Sequence, residues 1–212
     1  MNRSAPRLAS MILLALATLF AIPWTAHADC SDYPNNLLAA ENCDADVDAF
    51  GWRTVVAPIS HESTDGVPPG AVRVDGVDDG KGFEALVALC APGTEQTTYS
   101  FGAAARAVAG APNCNARVVR YANADCTGPN AFTNKGVAFY PNGLSEWRFE
   151  SGKQTLNLVP GLSAELRITC SSPSPFTFLV DNAYLLEGDQ SVPFFFDGFE
   201  NGDLEHWSAA SP

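Results

Sequence analysis

The clearest chemistry in this sequence is a cluster of carboxylates on one short segment. Asp44, Asp46 and Asp48 alternate with small apolar residues, and clustered carboxylates with backbone carbonyls supply the about six to eight oxygens that Ca²⁺ prefers. The segment is not an EF-hand loop, because its sixth position is Ala49 rather than glycine and its twelfth is Val55 rather than glutamate. Two interpretations stay open: a calcium site and a solvated acidic loop.

Two arginines could bind an anion if the fold brings them to one face of a sheet. Arg106 and Arg120 lie in successive strand-like segments, and alternation places them on the same side if those strands are neighbours. A guanidinium group binds a carboxylate through two parallel hydrogen bonds. The pair therefore predicts a shallow site for an acidic sugar or another anion. The alternative is that nearby Asp or Glu residues neutralise both charges.

The sequence contains no recognisable catalytic motif. After residue 28 the only histidines are His61 and His206, and no Gly-x-Ser-x-Gly, His-Glu-x-x-His or glycine-rich phosphate loop occurs. Ser60-His61-Glu62 is contiguous, whereas a catalytic triad is assembled from separate segments. The 24 acidic residues leave a carboxylate pair for glycoside cleavage open without singling one out. We therefore expect a protein that is not an enzyme.

The net charge and the N-terminal residues exclude some functions and indicate where the protein is located. The 212-residue chain has 12 Lys+Arg against 24 Asp+Glu, a formal net charge of −12, which excludes a general binder of phosphate backbones because such proteins cluster Lys and Arg. Arg3 and Arg7, the apolar run 11–22 and Ala26-His27-Ala28 predict a cleaved signal peptide over residues 1–28. Its removal takes away two arginines and no acid, so the charge becomes −14. We expect an exported protein, either periplasmic, at the cell surface or extracellular, without membrane insertion of the mature chain.

All six cysteines follow the predicted signal peptide, as expected for disulfides formed in an oxidising compartment. They are Cys30, Cys43, Cys90, Cys114, Cys126 and Cys170. Six cysteines allow fifteen pairings, and closeness in the chain favours Cys30–Cys43 and Cys114–Cys126. The remaining pair is then Cys90–Cys170, which would join two distant strands. No CxxC pair or Cys/His cluster indicates a metal site.

Short strands must position these groups. Segments rich in Val, Leu, Phe and Tyr lie between turn clusters: they are Phe83–Cys90, Ala116–Tyr121, Ala164–Cys170 and Phe176–Leu186. With 15 Pro and 17 Gly, no long amphipathic helix is expected. The Ala-rich stretch 101–109 is the most helix-like piece, yet it lies between strand signals. The pattern predicts an all-β sandwich or barrel, with one domain at 29–188 and a linker and tail at 189–212.

Several segments, taken in order, resemble the galactose-binding-like jelly-roll carbohydrate-binding modules of bacterial secreted proteins. The resemblance covers residues 35–187 and rests on Asn36-Leu37-Leu38, Gly51-Trp52, Thr98–Phe101, Arg117–Tyr121, Asp125–Gly128 and Phe178–Ala183. It implies a jelly-roll β-sandwich of two antiparallel sheets. Residues 197–207 resemble a short DGFE-x-G-x-x-x-x-W ending found on many bacterial exported proteins.

The resemblance also implies a carbohydrate ligand and a structural calcium ion. In that family calcium lies between an acid after the first strand and the Asp of the final Val-Asp pair, which correspond here to Asp44 and Asp181. Sugar rings stack on exposed aromatic side chains in such modules, and the candidates are Tyr99, Tyr121, Tyr140 and Trp147. Alternation assigns Tyr99 to the core with Phe101, and Trp147 to the core with Phe149. The candidate ligand-binding residues are then Arg106, Arg120, Tyr121 and Tyr140.

These expectations together describe an exported, non-catalytic protein that binds a glycan or another cell-surface ligand. They include no nucleic-acid partner. One alternative is a structural or adhesive envelope protein whose C-terminal tail directs sorting or attachment. Another is a small secreted hydrolase, which would need a deep pocket with converging acids.

Overall fold

The fold is seen in a computed structural model that describes most of the chain after residue 47. It describes residues 48–66, 70–92, 98–132, 136–139, 146–156 and 161–190, and the positions 30, 33, 35–38, 43 and 45. Within these residues twelve strands form two antiparallel sheets, which confirms the predicted all-β sandwich. None of the described residues forms a helix that is long and apolar enough to cross a membrane. The predicted signal peptide and the tail after Gln190 lie outside the described residues.

Seven strands form sheet A. They are β1 (Trp52–Thr54), β4 (Val77–Asp78), β5 (Phe83–Pro92), β7 (Asn113–Tyr121), β8 (Asn130–Phe132), β9 (Val137–Phe139) and β11 (Ser163–Ser172). The order across the sheet is β1-β5-β11-β7-β8, with β4 also paired to β5 and β9 to β7. The three long central strands β5, β11 and β7 are those that the apolar segments predicted.

Five strands form sheet B. They are β2 (Ile59–Glu62), β3 (Ala71–Asp75), β6 (Thr98–Ala109), β10 (Arg148–Thr155) and β12 (Thr177–Glu187), in the order β10-β6-β12-β3-β2. The Ala-rich stretch 101–109 belongs to β6, which lies between β10 and β12. Its small side chains suit a strand covered on both faces, since Ala103, Ala104 and Ala105 are all buried.

The hydrophobic core lies between the two sheets, because alternate residues of each strand point inward. From sheet A it takes Val87, Leu89, Leu166 and Ile168, and from sheet B Phe101, Phe178 and Val180, all at most 1% exposed. Tyr99 and Trp52 are also buried in this cluster, as alternation predicts for Tyr99. The intervening residues of sheet A therefore form its outer face.

A buried glutamine joins the two sheets. β8 pairs with Val119–Tyr121 and β9 with Cys114–Ala116, so among the described residues no strand partner lies opposite Val118 on that side of β7. Gln154 of β10 fills this gap: its Oε1 accepts from the Val118 N–H at 2.9 Å, and its Nε2 donates to the Val118 carbonyl at 3.3 Å. The side chain amide thus takes the place of a strand partner.

All six cysteines are in disulfides, as predicted, but two of the three predicted pairings are wrong. Cys30–Cys43 is present, whereas the other bonds are Cys90–Cys126 and Cys114–Cys170. The register explains the last pair, since Cys170 lies directly opposite Cys114 on neighbouring strands.

The predicted Cys90–Cys170 bond fails for a related reason. On the paired strands β5 and β11, Cys170 lies opposite Ala85, five residues from Cys90. An odd separation puts two side chains on opposite faces of a sheet. Cys90 therefore points outward, where it meets Cys126 in the loop after β7.

Candidate functional site

A row of arginines crosses the outer face of sheet A. The register places Arg53 of β1, Ala88 of β5, Arg167 of β11 and Arg117 of β7 side by side on four adjacent strands. The residues on either side of Arg167 and Arg117 in the chain point into the core, so these guanidinium groups point away from it. We call these three side chains the arginine row.

A buried carboxylate holds two of the three arginines. Glu165 is fully buried, and it forms ion pairs with Arg53 and with Arg167, the latter at 2.7 Å. The Tyr121 hydroxyl accepts a hydrogen bond from Arg167 and lies 3.4 Å from Glu165, while the Arg53 guanidinium lies 5.8 Å from the centre of the Tyr121 ring. Glu165 thus fixes Arg53 and Arg167 against a tyrosine.

The arginine row brings three positive charges to one face of sheet A, and Asp125 in the loop after β7 lies close enough to interact electrostatically with Arg53. Across the three rows of sheet A centred on it there are three arginines and one acid, Glu165. Arg117 and Arg167 lie directly opposite each other, which is unfavourable for like charges on paired strands. Burial lowers the pKa of Arg117, and the charge of Arg167 lowers it further. The outer face is therefore a local cationic patch on a chain of net charge −12.

The loop after β7 is fixed along one side of this patch. Cys126 is bonded to Cys90, its N–H donates to the Ser163 hydroxyl at 3.0 Å, and its carbonyl accepts from Arg53 at 3.2 Å. The Ser163 hydroxyl in turn donates to the Asn123 carbonyl at 2.6 Å. One covalent bond and three hydrogen bonds therefore hold loop 122–129 against sheet A.

Neutral side chains lie on the other side of the arginine row. Leu86, Thr169 and Asn115 form the next row of the sheet and are all half-buried. Just before β1, Phe50 is 67% exposed. The outer face of sheet A thus combines fixed charges with a row of neutral, half-buried side chains.

The structure separates the two arginines that the sequence placed together. β6 and β7 are in different sheets, so the expectation that Arg106 and Arg120 share a face is wrong. Arg120 is 3% exposed and donates to the Gly161 carbonyl at 2.7 Å. Arg106 forms an ion pair with Asp65 on sheet B, as the alternative interpretation of that arginine predicted.

The aromatic residues that were candidates for sugar binding also lie in different parts of the structure. Tyr121 belongs to the patch around Glu165 and is 6% exposed. Trp147, which alternation assigned to the core, is instead half-buried beside Arg106, and its indole N–H donates to Asp65 at 3.0 Å. Tyr140 lies outside the described residues.

Only one half of the predicted calcium site is described. Asp181 is fully buried in β12, at a point where the pairing with β6 shifts, and its carboxylate accepts from the Asn182 N–H at 2.8 Å. Asp44 lies outside the described residues. The calcium site therefore stays a prediction.

The sequence reasoning missed Arg53, Glu165, Arg117 and Arg167. Three of them lie in the segments Ala116–Tyr121 and Ala164–Cys170, which the sequence identified as strands. Within those segments they occupy the positions that alternate with the apolar core residues. That alternation was a usable signal for an outward charged face.

Comparison with known proteins shows which fold the chain resembles but does not assign it to a family. No protein-family model and no curated protein matches the chain. Among solved structures it is similar to "Family 16 Carbohydrate Binding Module-2" (21% identity, TM-score 0.52, 72% of this chain and 100% of that one). It is also similar to the enzymatically active domain of bacteriophage CBA120 tailspike protein 4 (11% identity, TM-score 0.50, 72% of this chain and 21% of that one).

A family 61 carbohydrate-binding module, solved in complex with β-1,4-galactotriose, is similar as well (14% identity, TM-score 0.48, 73% of this chain and 100% of that one). Several of the similar structures are thus carbohydrate-binding modules with a β-sandwich fold. At these identities the likeness shows the fold alone. The three disulfides suggest an exported protein.

Proposed function

We propose that this protein is an exported, non-catalytic carbohydrate-binding protein and that the outer face of sheet A binds the glycan. The observation that carries the proposal is the arginine row, which four hydrogen-bonded strands and the buried carboxylate of Glu165 hold in place. Binding sites on strands are better ordered than those on loops, because the sheet fixes the side chains before the ligand arrives.

The groups beside the row suit a sugar. Asn115 offers a half-buried amide next to the guanidinium groups, and this amide can exchange hydrogen bonds with sugar hydroxyls. Phe50 precedes Arg53 by three residues, so their Cα atoms are at most about 11 Å apart. Its exposed ring offers apolar area for the C–H face of a pyranose.

The fold and the disulfides support the same proposal. The family 16 carbohydrate-binding module shares the β-sandwich, although a fold alone does not establish a function. The three disulfides fit a protein that folds outside the cytosol. Its compartment is then the periplasm, the cell surface or the medium.

A glycan array with residues 29–212 tests the proposal. We expect binding to at least one glycan class, weakened about three- to tenfold by Phe50→Ala, on the scale of about 0.5–1.5 kcal/mol for an aromatic contact. Val108→Ala is the matched control, since Val108 is an exposed apolar residue on sheet B. Silence of the wild-type protein across neutral and acidic glycans would refute the proposed function.

We also propose that a calcium ion, if bound, is held by Asp44 and Asp181. The support is the position of Asp181, which is fully buried where the pairing of β12 with β6 shifts, as the resemblance implies for the Asp of the final Val-Asp pair. Such an ion would stabilise the fold without taking part in ligand binding, since Asp181 belongs to sheet B.

A further inference from the structure

Glu165 is fully buried although it points away from the core. Its neighbours in the chain belong to the hydrophobic core, so alternation turns the Glu165 side chain to the outer face of sheet A. There it lies opposite Cys90 on β5, and Cys90 packs against a small cluster that contains Tyr121 and Cys126. The Cys90–Cys126 disulfide and Tyr121 therefore shield Glu165 from water.

Cys126 is also the residue that holds loop 122–129 in place. Every other residue of this loop is exposed or half-buried. Cys126 makes the disulfide with Cys90 and two of the three hydrogen bonds that hold the loop against sheet A. The hydrogen bond from the Ala122 N–H to the Pro129 carbonyl, at 3.0 Å, lies within the loop. The loop is thus attached to the sheet mainly through one residue.

The disulfide holds Cys126 in an unfavourable backbone conformation. Its φ is 56°, in the left-handed region that residues other than glycine adopt only at a cost. Without the bond to Cys90, Cys126 can leave this conformation, and its hydrogen bonds to Ser163 and Arg53 then break. The same movement takes Asp125 away from Arg53, with which it interacts electrostatically. Breaking one covalent bond would therefore release the loop and change the surroundings of the arginine row.

Of the six cysteines, Cys90 is the most accessible to a reductant. It is half-buried, whereas the other five are at most 5% exposed, and exchange between a thiol and a disulfide requires access to the sulfur that is attacked. A dithiol attacks the Cys90 sulfur, and Cys126 leaves as a thiolate. The second thiol of the reductant then displaces Cys90. The reductant becomes a disulfide, and both cysteines become thiols.

We propose that the Cys90–Cys126 disulfide is a redox switch: a dithiol reductant releases loop 122–129 from sheet A, and a disulfide oxidant fixes it again. The consequence for binding rests on the proposed function, because Arg53 loses its partners in the loop and the outer face of sheet A then binds the glycan less tightly. The switch is reversible, since the other four cysteines stay in their disulfides and Cys90 and Cys126 can pair only with each other.

Mild reduction followed by alkylation tests whether this disulfide breaks first. Residues 29–212 are treated with dithiothreitol without denaturant, free thiols are blocked with iodoacetamide, and tryptic peptides are analysed by mass spectrometry. Trypsin separates Cys90, Cys114, Cys126 and Cys170, because a Lys or Arg lies between each of them and the next. We expect Cys90 and Cys126 to be labelled about tenfold faster than the other four cysteines. Labelling of Cys114 and Cys170 at the same rate would overturn the proposal.

Hydrogen exchange shows whether the loop is released. We expect the amides of loop 122–129 to exchange about tenfold faster after mild reduction, while β5 and β11 stay protected. The double variant Cys90→Ser/Cys126→Ser should resemble the reduced wild type and should not respond to dithiothreitol. Ser163→Ala is the matched control, because it removes two hydrogen bonds of the loop and keeps the disulfide. Equally fast exchange in oxidised Ser163→Ala, or no change on reduction, would show that the disulfide does not hold the loop.

The glycan array separates this inference from the proposed function. We expect the array signal to fall about threefold on mild reduction, on the scale of one hydrogen bond, and to return after oxidation with glutathione disulfide. An unchanged signal from protein whose loop has been released overturns the effect on binding and leaves carbohydrate binding intact. Silence of the oxidised protein refutes the proposed function and the effect on binding with it, whereas hydrogen exchange still decides whether the disulfide holds the loop.

Discussion

The hydrogen bonds between Gln154 and Val118 allow a quantitative test of how the two sheets are joined. Gln154 is 4% exposed, and its amide pairs with both backbone groups of Val118 in the gap between β8 and β9. Replacing Gln154 by methionine keeps the length of the side chain and removes both hydrogen bonds. The backbone N–H and carbonyl of Val118 then lose these partners inside the sandwich.

The expected cost follows from these two groups. A buried polar group left without a partner costs about 1–3 kcal/mol, so two groups give about 2–6 kcal/mol. The longer contact, 3.3 Å, exceeds the usual N–H···O range of about 2.7–3.2 Å, which favours the lower half of that interval. We expect the free energy of unfolding to fall by about 3 kcal/mol and the melting temperature by about 6–12 °C.

Urea denaturation with the disulfides intact measures this loss of stability, and the slope of the transition shows whether unfolding remains two-state. Lys153→Met is the matched control: it introduces the same residue next door, at an exposed position whose ion pair with Asp189 is worth at most about 1 kcal/mol. A Gln154→Met protein within about 0.5 kcal/mol of the wild type would show that the amide does not substitute for a strand.

Three further predictions concern the phenol of Tyr184, one disulfide and calcium. Burial raises the pKa of Tyr184 to about 12; because the unfolded phenol ionises near about pH 10, stability should fall as the pH rises from 10 to 12. An absorbance titration should show a late step that Tyr184→Phe removes, and its presence in that variant would contradict the assignment. Replacing both Cys90 and Cys126 by alanine should cost about 3–4 kcal/mol in urea and weaken glycan binding by freeing loop 122–129; unchanged affinity would show that the loop plays no part. EDTA should lower the melting temperature of the wild type but not of Asp181→Asn, and an unchanged wild type would refute the calcium proposal.

The strands could be predicted from the sequence because alternation is a local property. Segments such as Phe83–Cys90 and Ala164–Cys170 place an apolar residue at every second position, and one buried face is enough to require that pattern. The same rule placed Tyr99 in the core. Fold class and most central strands therefore follow from neighbouring residues alone.

Alternation could indicate an outward charged face, but which charged residues meet on it could not be predicted, because that depends on which strands pair. Arg106 and Arg120 have compatible alternation, but the chain crosses from sheet B to sheet A between β6 and β7. The prediction of the disulfide pairs failed for the same reason. Closeness in the chain favoured Cys114–Cys126, whereas the pairing of β7 with β11 brings Cys114 to Cys170. Register and sheet membership come from tertiary packing, which no short segment encodes.

The arginine row also leads to a prediction about stability, because a residue that binds a ligand need not stabilise the free protein. Arg117 lies opposite Arg167, and like charges at such positions cost about 0.2–1 kcal/mol. Burial and the charge of Arg167 both lower the pKa of Arg117, so both oppose the charge of this side chain in the folded protein. Arg117→Gln should therefore leave the free energy of unfolding unchanged or raise it slightly while it weakens glycan binding. If urea denaturation shows instead that the variant is clearly less stable, Arg117 has a structural role, and its charge is explained without a ligand.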